Sequence, residues 1–464
     1  DWSSDVCSSD LKERRGYMKL SRIGAAALCA ALCLGTMSGC SSKTDGANEG
    51  GSQTAESQTT AGQTAAGGTE AGGAAGSDEK FTLKISTTGE TDDNLDLAMA
   101  MFKEQYPNVE YELITSPWNE TREKQIMMVS MGDIPDIVKT GGWAQEFFKD
   151  GMLMDLTDEV KNWDIYPRLT EGQLQRMSYG DQICAMNYNT NTMFMFYNKE
   201  LLEKIGAEVP KTFEDLKAIG EKIVAEGITT EDGQKVYATN IPTNNTWELS
   251  PWVFSMGAEY MNEDYSQVVI DSTESIEAHI QMQDFVKNGW APIPDGTGDQ
   301  LWLNGQMVTY FTGEWNIPGT VDAGIDVAYA TIPTGKDGLS VGPIGGCDWA
   351  VMEESENKAM AMEFLKLMYS EEFQIQADRG VTDLAIYDNP EKQAVWAESG
   401  LTESKKVQQE QLKTAKFVFL DNPYQYPEGA NIYGAAVERI LIKQEDVKTV
   451  LEEAAAQINK GMAQ

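Results

Sequence analysis

Residues 81–113 read FTLKISTTGETDDNLDLAMAMFKEQYPNVEYEL, and this stretch decides the fold class. Phe81, Leu83 and Ile85 alternate with polar residues, the period of a strand with one buried face. Leu95, Ala98, Met99 and Phe102 then recur at helical spacing until Pro107 stops them, and Val109, Tyr111 and Leu113 alternate again. Strand, helix and strand in so short a span predict a parallel βαβ unit and an α/β architecture, because parallel strands can be joined only by a crossover. A further short strand is expected at Asp136 to Lys139.

Outward from this unit, Thr212 can cap a helix that places Phe213, Leu216, Ile219 and Ile223 on one face and ends at Gly227. Thr229 to Ala238, with Asp232-Gly233 in its middle, has the composition of a hairpin turn. Later helices are expected from Asn357 to Met368, Glu371 to Asp378 and Val447 to Ile458. No repeat of about 20 to 50 residues recurs, which argues against a solenoid or propeller.

The chain has 464 residues, 41% of them hydrophobic, enough for two domains. Its 36 Lys plus Arg against 73 Asp plus Glu give a formal net charge of -37, which repels phosphate backbones and makes nucleic acid an unsuitable partner. The same acidity suits a secreted protein that must stay soluble.

The amino terminus carries an address. Lys19 and Arg22 precede an apolar run from Ile23 to Gly35, and Met37-Ser38-Gly39-Cys40 follows, the charged, apolar and small-residue regions of a secretory signal. The run is short for a membrane span. A cysteine directly after small residues resembles the bacterial lipoprotein signal, with residues 18–39 as the leader and Cys40 as the lipid attachment site; Met37 stands where that motif usually has Leu. Residues 1–17 carry no secretory logic and resemble adapter read-through joined to a reading frame starting at Met18. Residues 40–78 are expected to be a flexible tether, since Ser, Gly, Thr, Ala, Gln and Glu bury too little apolar area to offset chain entropy. The roughly 37 residues from Ser41 to Ser77 would hold a domain about 30 to 37 Å from the membrane on average.

Beyond the βαβ unit, several motifs follow in order: Gly132-Asp133-Ile134-Pro135-Asp136-Ile137 with Gly151 to Thr157, Phe196-Tyr197-Asn198-Lys199-Glu200-Leu201-Leu202 with Val209 to Leu216, Asn304-Gly305-Gln306 through Gly313-Glu314-Trp315, Gly345-Gly346-Cys347-Asp348-Trp349, and Lys358 to Tyr369. Together, from Phe81 to Met462, they resemble the family 1 extracellular solute-binding proteins, the group that includes maltose-binding protein. The resemblance implies a two-lobed periplasmic-binding-protein-like α/β fold with a ligand cleft between lobes joined by hinge crossings. It also implies a receptor that passes a carbohydrate, expected to be an oligosaccharide, to the permease subunits of an ABC importer. Crossings are expected at Ala185 to Thr192, Gln306 to Phe311 and Leu367 to Glu371, so that 79–187 with 310–368 form the first lobe and 190–306 with 370–464 the second. The implied protein is a monomer on the outer face of the cytoplasmic membrane, held there only by lipid, and is not an enzyme.

The residues agree with that reading. His279 is the only histidine and lies in a polar helical stretch, where a solvated surface position is expected, so a Ser-His-Asp or Cys-His mechanism has little to rest on. No His or Cys pair has zinc-ligand spacing, and neither G-x-x-x-x-G-K-[ST] nor a helix-opening G-x-G-x-x-G is present, so no metal or cofactor is expected and the ATPase must be another protein. Cys184 and Cys347 have the residue types to pair, but two lone thiols buried as small hydrophobes are the expected state. Sugar sites need flat apolar faces beside groups that bond hydroxyls, which makes the eleven tryptophans informative. Trp315, in Gly313-Glu314-Trp315, matches a position where the family commonly stacks sugar. Glu90 ends the first strand where an open α/β sheet presents ligand, Trp143 follows Gly141-Gly142, and Trp118 with Asn119 follows the strand at Val109 to Leu113. Trp247 is placed on the second lobe, Asn191 at the first crossing within an amide-rich stretch unlike the family's, and Asp348 after Gly345-Gly346; Tyr424 and Tyr426 complete the candidates. Two other readings use the same features: a secreted carbohydrate-active enzyme, drawing on the abundant carboxylates, and a surface adhesin lipoprotein.

Overall fold

The computed structural model describes residues 80–89, 93–169, 171–187, 189–243, 245–263, 266–377, 384–385, 392–418 and 428–463. The strand Phe81–Thr88 pairs in parallel with Val109–Ser116, in register from Phe81 opposite Val109 to Thr88 opposite Ser116, and the helix Asp93–Gln105 connects them. Leu83 and Ile85 are fully buried, and Leu95, Ala98 and Phe102 cover them from the helix. Ile137–Thr140 lies parallel on the other side of Phe81–Thr88, followed by Asp348–Val351 and Met186–Asn187, both antiparallel, to complete a five-stranded sheet. The helices Lys358–Met368 and Glu371–Ala377 close its core, with Phe364 set edge-on to Phe102 at 5.2 Å.

The second lobe is built on a three-stranded antiparallel sheet in the order Val327–Ala330, Phe194–Asn198, Thr309–Thr312. The helix Phe213–Glu226 opens on a capping box, in which Thr212 and Asp215 satisfy each other's backbone N–H groups, and it buries Phe213, Leu216, Ile219 and Ile223. These residues share a core with Trp252, Phe285, Phe311, Val437 and Leu451 from helices and strands spread over more than half the chain.

Two expected crossings shift. Residues 306–311 do not leave the lobe and 310–347 are not first-lobe chain, because Thr309–Thr312 pairs with Phe194–Asn198 and is covered by second-lobe aromatics. Tyr310 stacks on Trp302 at 5.6 Å and Phe311 packs on Trp252 at 5.6 Å. The chain passes back to the first sheet between Val341, which belongs to the second core, and Asp348. Likewise the segment after 370 does not cross at once, since Phe373 and Ala377 are still buried in the first core. The outgoing passage lies between Asn187 and Phe194, and its strand Asn189–Thr190 pairs with Leu384–Ala385.

His279 is also not a surface residue. The helix Thr273–Lys287 buries it completely, with Nδ1 2.7 Å from the Ser275 carbonyl oxygen and Nε2 2.7 Å from the Tyr433 hydroxyl. A carbonyl can only accept, so Nδ1 carries the proton and the Tyr433 hydroxyl donates to Nε2. Burial pushes the imidazole pKa down from 6.5 to about 4. The neutral ring is therefore the folded form, and its contribution is complete above the unfolded value and lost as pH falls through about 4. We expect this group to remove about 3 kcal/mol of stability by pH 4, measured as the difference in pH dependence of urea unfolding between wild type and His279→Gln. At pH 7.5, Tyr433→Phe should cost about 1 to 3 kcal/mol by leaving Nε2 without its donor. Identical pH slopes for wild type and His279→Gln would contradict the buried neutral ring.

Candidate ligand-binding site

The parallel strands end at Thr88, Ser116 and Thr140 on one edge of the first sheet, the edge at which open α/β sheets bind ligands. Trp118 opens the helix Trp118–Ser130 there and is 46% exposed. Trp143 lies behind it, with ring centroids 5.3 Å apart, and is 1% exposed. Its Nε1 donates to Gln125 Oε1 at 3.1 Å, and Gln125 Nε2 donates to the Lys139 carbonyl at 2.9 Å. Trp143 therefore departs from its expected role, because its ring supports Trp118 from the core instead of facing the cleft.

On the second lobe, Trp247 and Trp315 form a tilted pair with centroids 5.8 Å apart and 46° between planes. Trp315 is 39% exposed and Trp247 is half-buried. Trp315 sits on the short helix Glu314–Asn316, and its ring folds back so closely over Gly313 that a Cβ there would lie 1.9 Å from it. Next to it in the chain, Glu314 is fully buried and pairs with the fully buried Lys405 of the helix Thr402–Leu412 at 2.8 Å.

Polar groups adjoin the pair. The Tyr310 hydroxyl donates to the carboxylate of Asp299, which is exposed, and Asn316 Nδ2 donates to Thr312 Oγ1 at 2.7 Å and reaches Asp299 at 3.5 Å. Burial, with Asp299 beside it, pushes the Glu248 carboxyl up to about 7, so near neutral pH it can act as donor or acceptor. A flat apolar floor next to such groups can bury one face of a ring while exchanging hydrogen bonds with its rim.

The other candidates divide. Asp348 is 2% exposed and its carboxylate is held by Arg176, with Nε to Oδ1 at 3.0 Å and an η nitrogen to Oδ2 at 3.1 Å, and by Asn187 Nδ2 at 3.0 Å. It is committed to a buried ion pair, which corrects the expectation of a ligand contact. Asn191 lies on the first passage and pairs with Gly345 through the backbone. Asn119 falls in the first turn of the Trp118–Ser130 helix, whereas Glu90, Tyr424, Tyr426 and Cys40 lie outside the described residues. Cys184 and Cys347 are both free, and burial pushes the Cys184 thiol up to about 12. Among the described residues there is no group of three or more His, Cys, Asp or Glu placed to hold a metal, and no helix long and apolar enough to cross a membrane. Glu248, Asp299, Tyr310 and Asn316 were not singled out by the sequence, where their separate positions carry no shared spacing.

Two α/β lobes joined by passages that pair with one another, each lobe with an exposed tryptophan, have the architecture of a solute-binding receptor. Residues 98–386 match the family model for bacterial extracellular solute-binding proteins, and the chain belongs to that family. It is 28% identical over 269 residues to the maltotriose-binding protein of Pyrococcus abyssi, a match covering 56% of each chain. It is 23% identical over 367 residues to the galactooligosaccharide-binding protein of Bacillus subtilis, covering 71% of this chain and 83% of that one. The fold superimposes with a TM-score of 0.74 on an ABC substrate-binding protein of Listeria monocytogenes solved in complex with cycloalternan, at 21% identity, covering 83% of this chain and 100% of that one.

Removing one partner of a buried ion pair strands the other charge. Lys405→Met should therefore cost about 3 to 5 kcal/mol, whereas Lys405→Met combined with Glu314→Gln should recover most of the loss in urea unfolding. A double variant no better than the single one would show that the helix needs Lys405 for something other than its charge.

Proposed function

We propose that this chain is the solute-binding receptor of an ABC importer, that its ligand is a carbohydrate, and that it delivers the ligand unchanged to membrane permease subunits. The observation that carries the reading is the Trp247–Trp315 pair with Asp299, Tyr310 and Asn316 beside it. A pyranose has an apolar C–H face and a rim of hydroxyls, which is the complement of such a surface. Two indoles whose planes differ by 46° offer a bent floor longer than one sugar ring, which favours an oligosaccharide over a monosaccharide. The relatives' names, maltotriose- and galactooligosaccharide-binding, support the same ligand class. On this reading the ligand first meets one lobe and is then enclosed as the lobes close, because contact with both Trp118 and Trp315 is available only in the closed state. The receptor acts as a monomer at the outer face of the cytoplasmic membrane, tethered by lipid on Cys40.

A thermal-shift screen with maltotriose, galactooligosaccharides and cycloalternan, with amino acids and polyols as non-sugar arms, tests the ligand class. Binding at 100 times the Kd adds about 2.7 kcal/mol to stability. The sugar that stabilises wild type should lose roughly 30-fold to 1000-fold in affinity for Trp315→Ala by titration calorimetry, the consequence of truncating an aromatic anchor worth about 2 to 4 kcal/mol. Stabilisation by a non-sugar arm alone would overturn the carbohydrate assignment. A lowered melting point of ligand-free Trp315→Ala with unchanged affinity would remove Trp315 from the site.

For the anchor, Cys40→Ala should move the protein from the membrane fraction to the medium. Membrane association that persists and still requires detergent for release would exclude attachment through Cys40.

A further inference from the structure

The passages between the lobes meet at one place. Asn189–Thr190 pairs with Leu384–Ala385, and the next residue, Asn191, pairs with Gly345: Gly345 N donates to the Asn191 carbonyl at 2.9 Å and Asn191 N to the Gly345 carbonyl at 3.3 Å. Cys347 N adds a bond to Asn189 Oδ1 at 3.2 Å. The passages thus form a narrow ribbon in which each restrains the next.

Trp247 lies against this ribbon. Its Nε1 donates to the Ile344 carbonyl at 3.1 Å. A Cβ at residue 345 would be 2.6 Å from the indole and 2.2 Å from Asn191 Oδ1, so the ring and the amide close over a position that only glycine can fill. The ring also faces Trp315. One side chain therefore touches both the aromatic floor and the passage between the lobes.

Its own backbone is held unusually firmly. Asn245 Oδ1 accepts from the N–H groups of Trp247 and Glu248 at 3.1 and 3.2 Å. Pro251 has no N–H to give the Trp247 carbonyl, and the Ser250 hydroxyl donates to it instead at 2.8 Å. The Tyr260 hydroxyl donates to the Thr246 carbonyl at 2.9 Å. Trp247 consequently moves with the helix Thr246–Phe254 and not independently of it.

We propose that Trp247 is a positioning residue that ties Ile344 to the second lobe, so that bending between the lobes falls on Gly345 and Gly346 and carries the aromatic floor with it. Rotation on the other side of Ile344 would break the indole bond, whereas rotation at Gly345 and Gly346 leaves it intact. Gly346, at φ +130°, already occupies backbone space that other residues rarely adopt. Hinges of this kind are a few residues that absorb large φ/ψ changes. The link between bending and ligand rests on the receptor reading above; the tie between Trp247 and the ribbon does not.

The test is hydrogen exchange of the ligand-free full chain. Trp247→Phe keeps an aromatic ring and removes the N–H. Exchange at the Gly345 and Asn191 amides should rise at least tenfold, with the Phe213–Glu226 helix and the Thr309–Thr312 strand unchanged. Gly345→Ala, which pushes a methyl group against the indole, should give the same local increase and serves if Trp247→Phe lacks a cooperative melting transition. Unchanged exchange at Gly345 and Asn191 would overturn the proposal, and so would an even rise across the second lobe, since that is what loss of core packing produces. No sugar is added, so a negative sugar screen leaves this measurement intact and a negative exchange result leaves the carbohydrate reading intact.

Discussion

The carboxylate of Asp348 is the fixed point of the molecule. It lies where the returning passage enters the first sheet, between Ile137–Thr140 and Met186–Asn187, and it is gripped by the guanidinium of Arg176 and the amide of Asn187. Asn187 is itself the last first-sheet residue of the outgoing passage. One buried charge therefore anchors both directions of chain traffic between the lobes. Arg176 also donates to the Gly346 carbonyl at 2.9 Å, so the same side chain holds the far end of the Gly345–Gly346 segment. A buried pair of this kind adds little net stability over an apolar packing but is costly to break, and that asymmetry suits a junction that must keep two passages in register.

Around that point the two lobes do different work. The first presents the carboxyl ends of its parallel strands, a geometry set by backbone topology, and offers one exposed indole supported by a second that is buried. The second, whose sheet among the described residues is antiparallel, builds its face from side chains held by unusual means. Glu314, next to Trp315 in the chain, is held in a fully buried pair with Lys405, and a helix with an internal proline, whose missing bond to the Trp247 carbonyl a serine hydroxyl replaces, carries Trp247. Aromatic surface is thus distributed over both lobes, while the titratable groups Glu248, Asp299 and Tyr310 gather on the second.

What could be read from the chain was what local periodicity determines. The βαβ unit at 81–116 and the capped helix from Thr212 follow from residues within a few turns of one another, and both form as expected. Which sheet a strand joins is a long-range matter: the family resemblance placed a passage between lobes at 306–311, and only pairing with Phe194–Asn198 and packing on Trp302 and Trp252 make Thr309–Thr312 a second-lobe strand. His279 reads as a surface residue because its helix is polar around it, yet its partner is Tyr433, 154 positions away. Among the tryptophans, residue type suggested the face but could not rank exposure, so Trp118 and Trp143 looked alike in sequence and end on opposite sides of a packing boundary. The acid-rich composition hid Glu314 and Glu248 among many solvated carboxylates.

Gly313 and Gly345 carry an implication for redesign. Each lies directly beneath an indole of the second-lobe floor, with no room for even a methyl group. The orientation of that floor is therefore set from below by residues that have no side chain, and the tryptophans themselves contribute shape only after those vacancies have fixed their tilt. An engineer wishing to retarget this receptor to another solute would have latitude at Trp315, whose ring, among the described residues, makes no such tie to the passage as the Trp247 indole does, and none at the two glycines. A randomised library that spares Gly313 and Gly345 searches new recognition surfaces on an intact chassis, whereas one that includes them spends most of its members on collapsed floors.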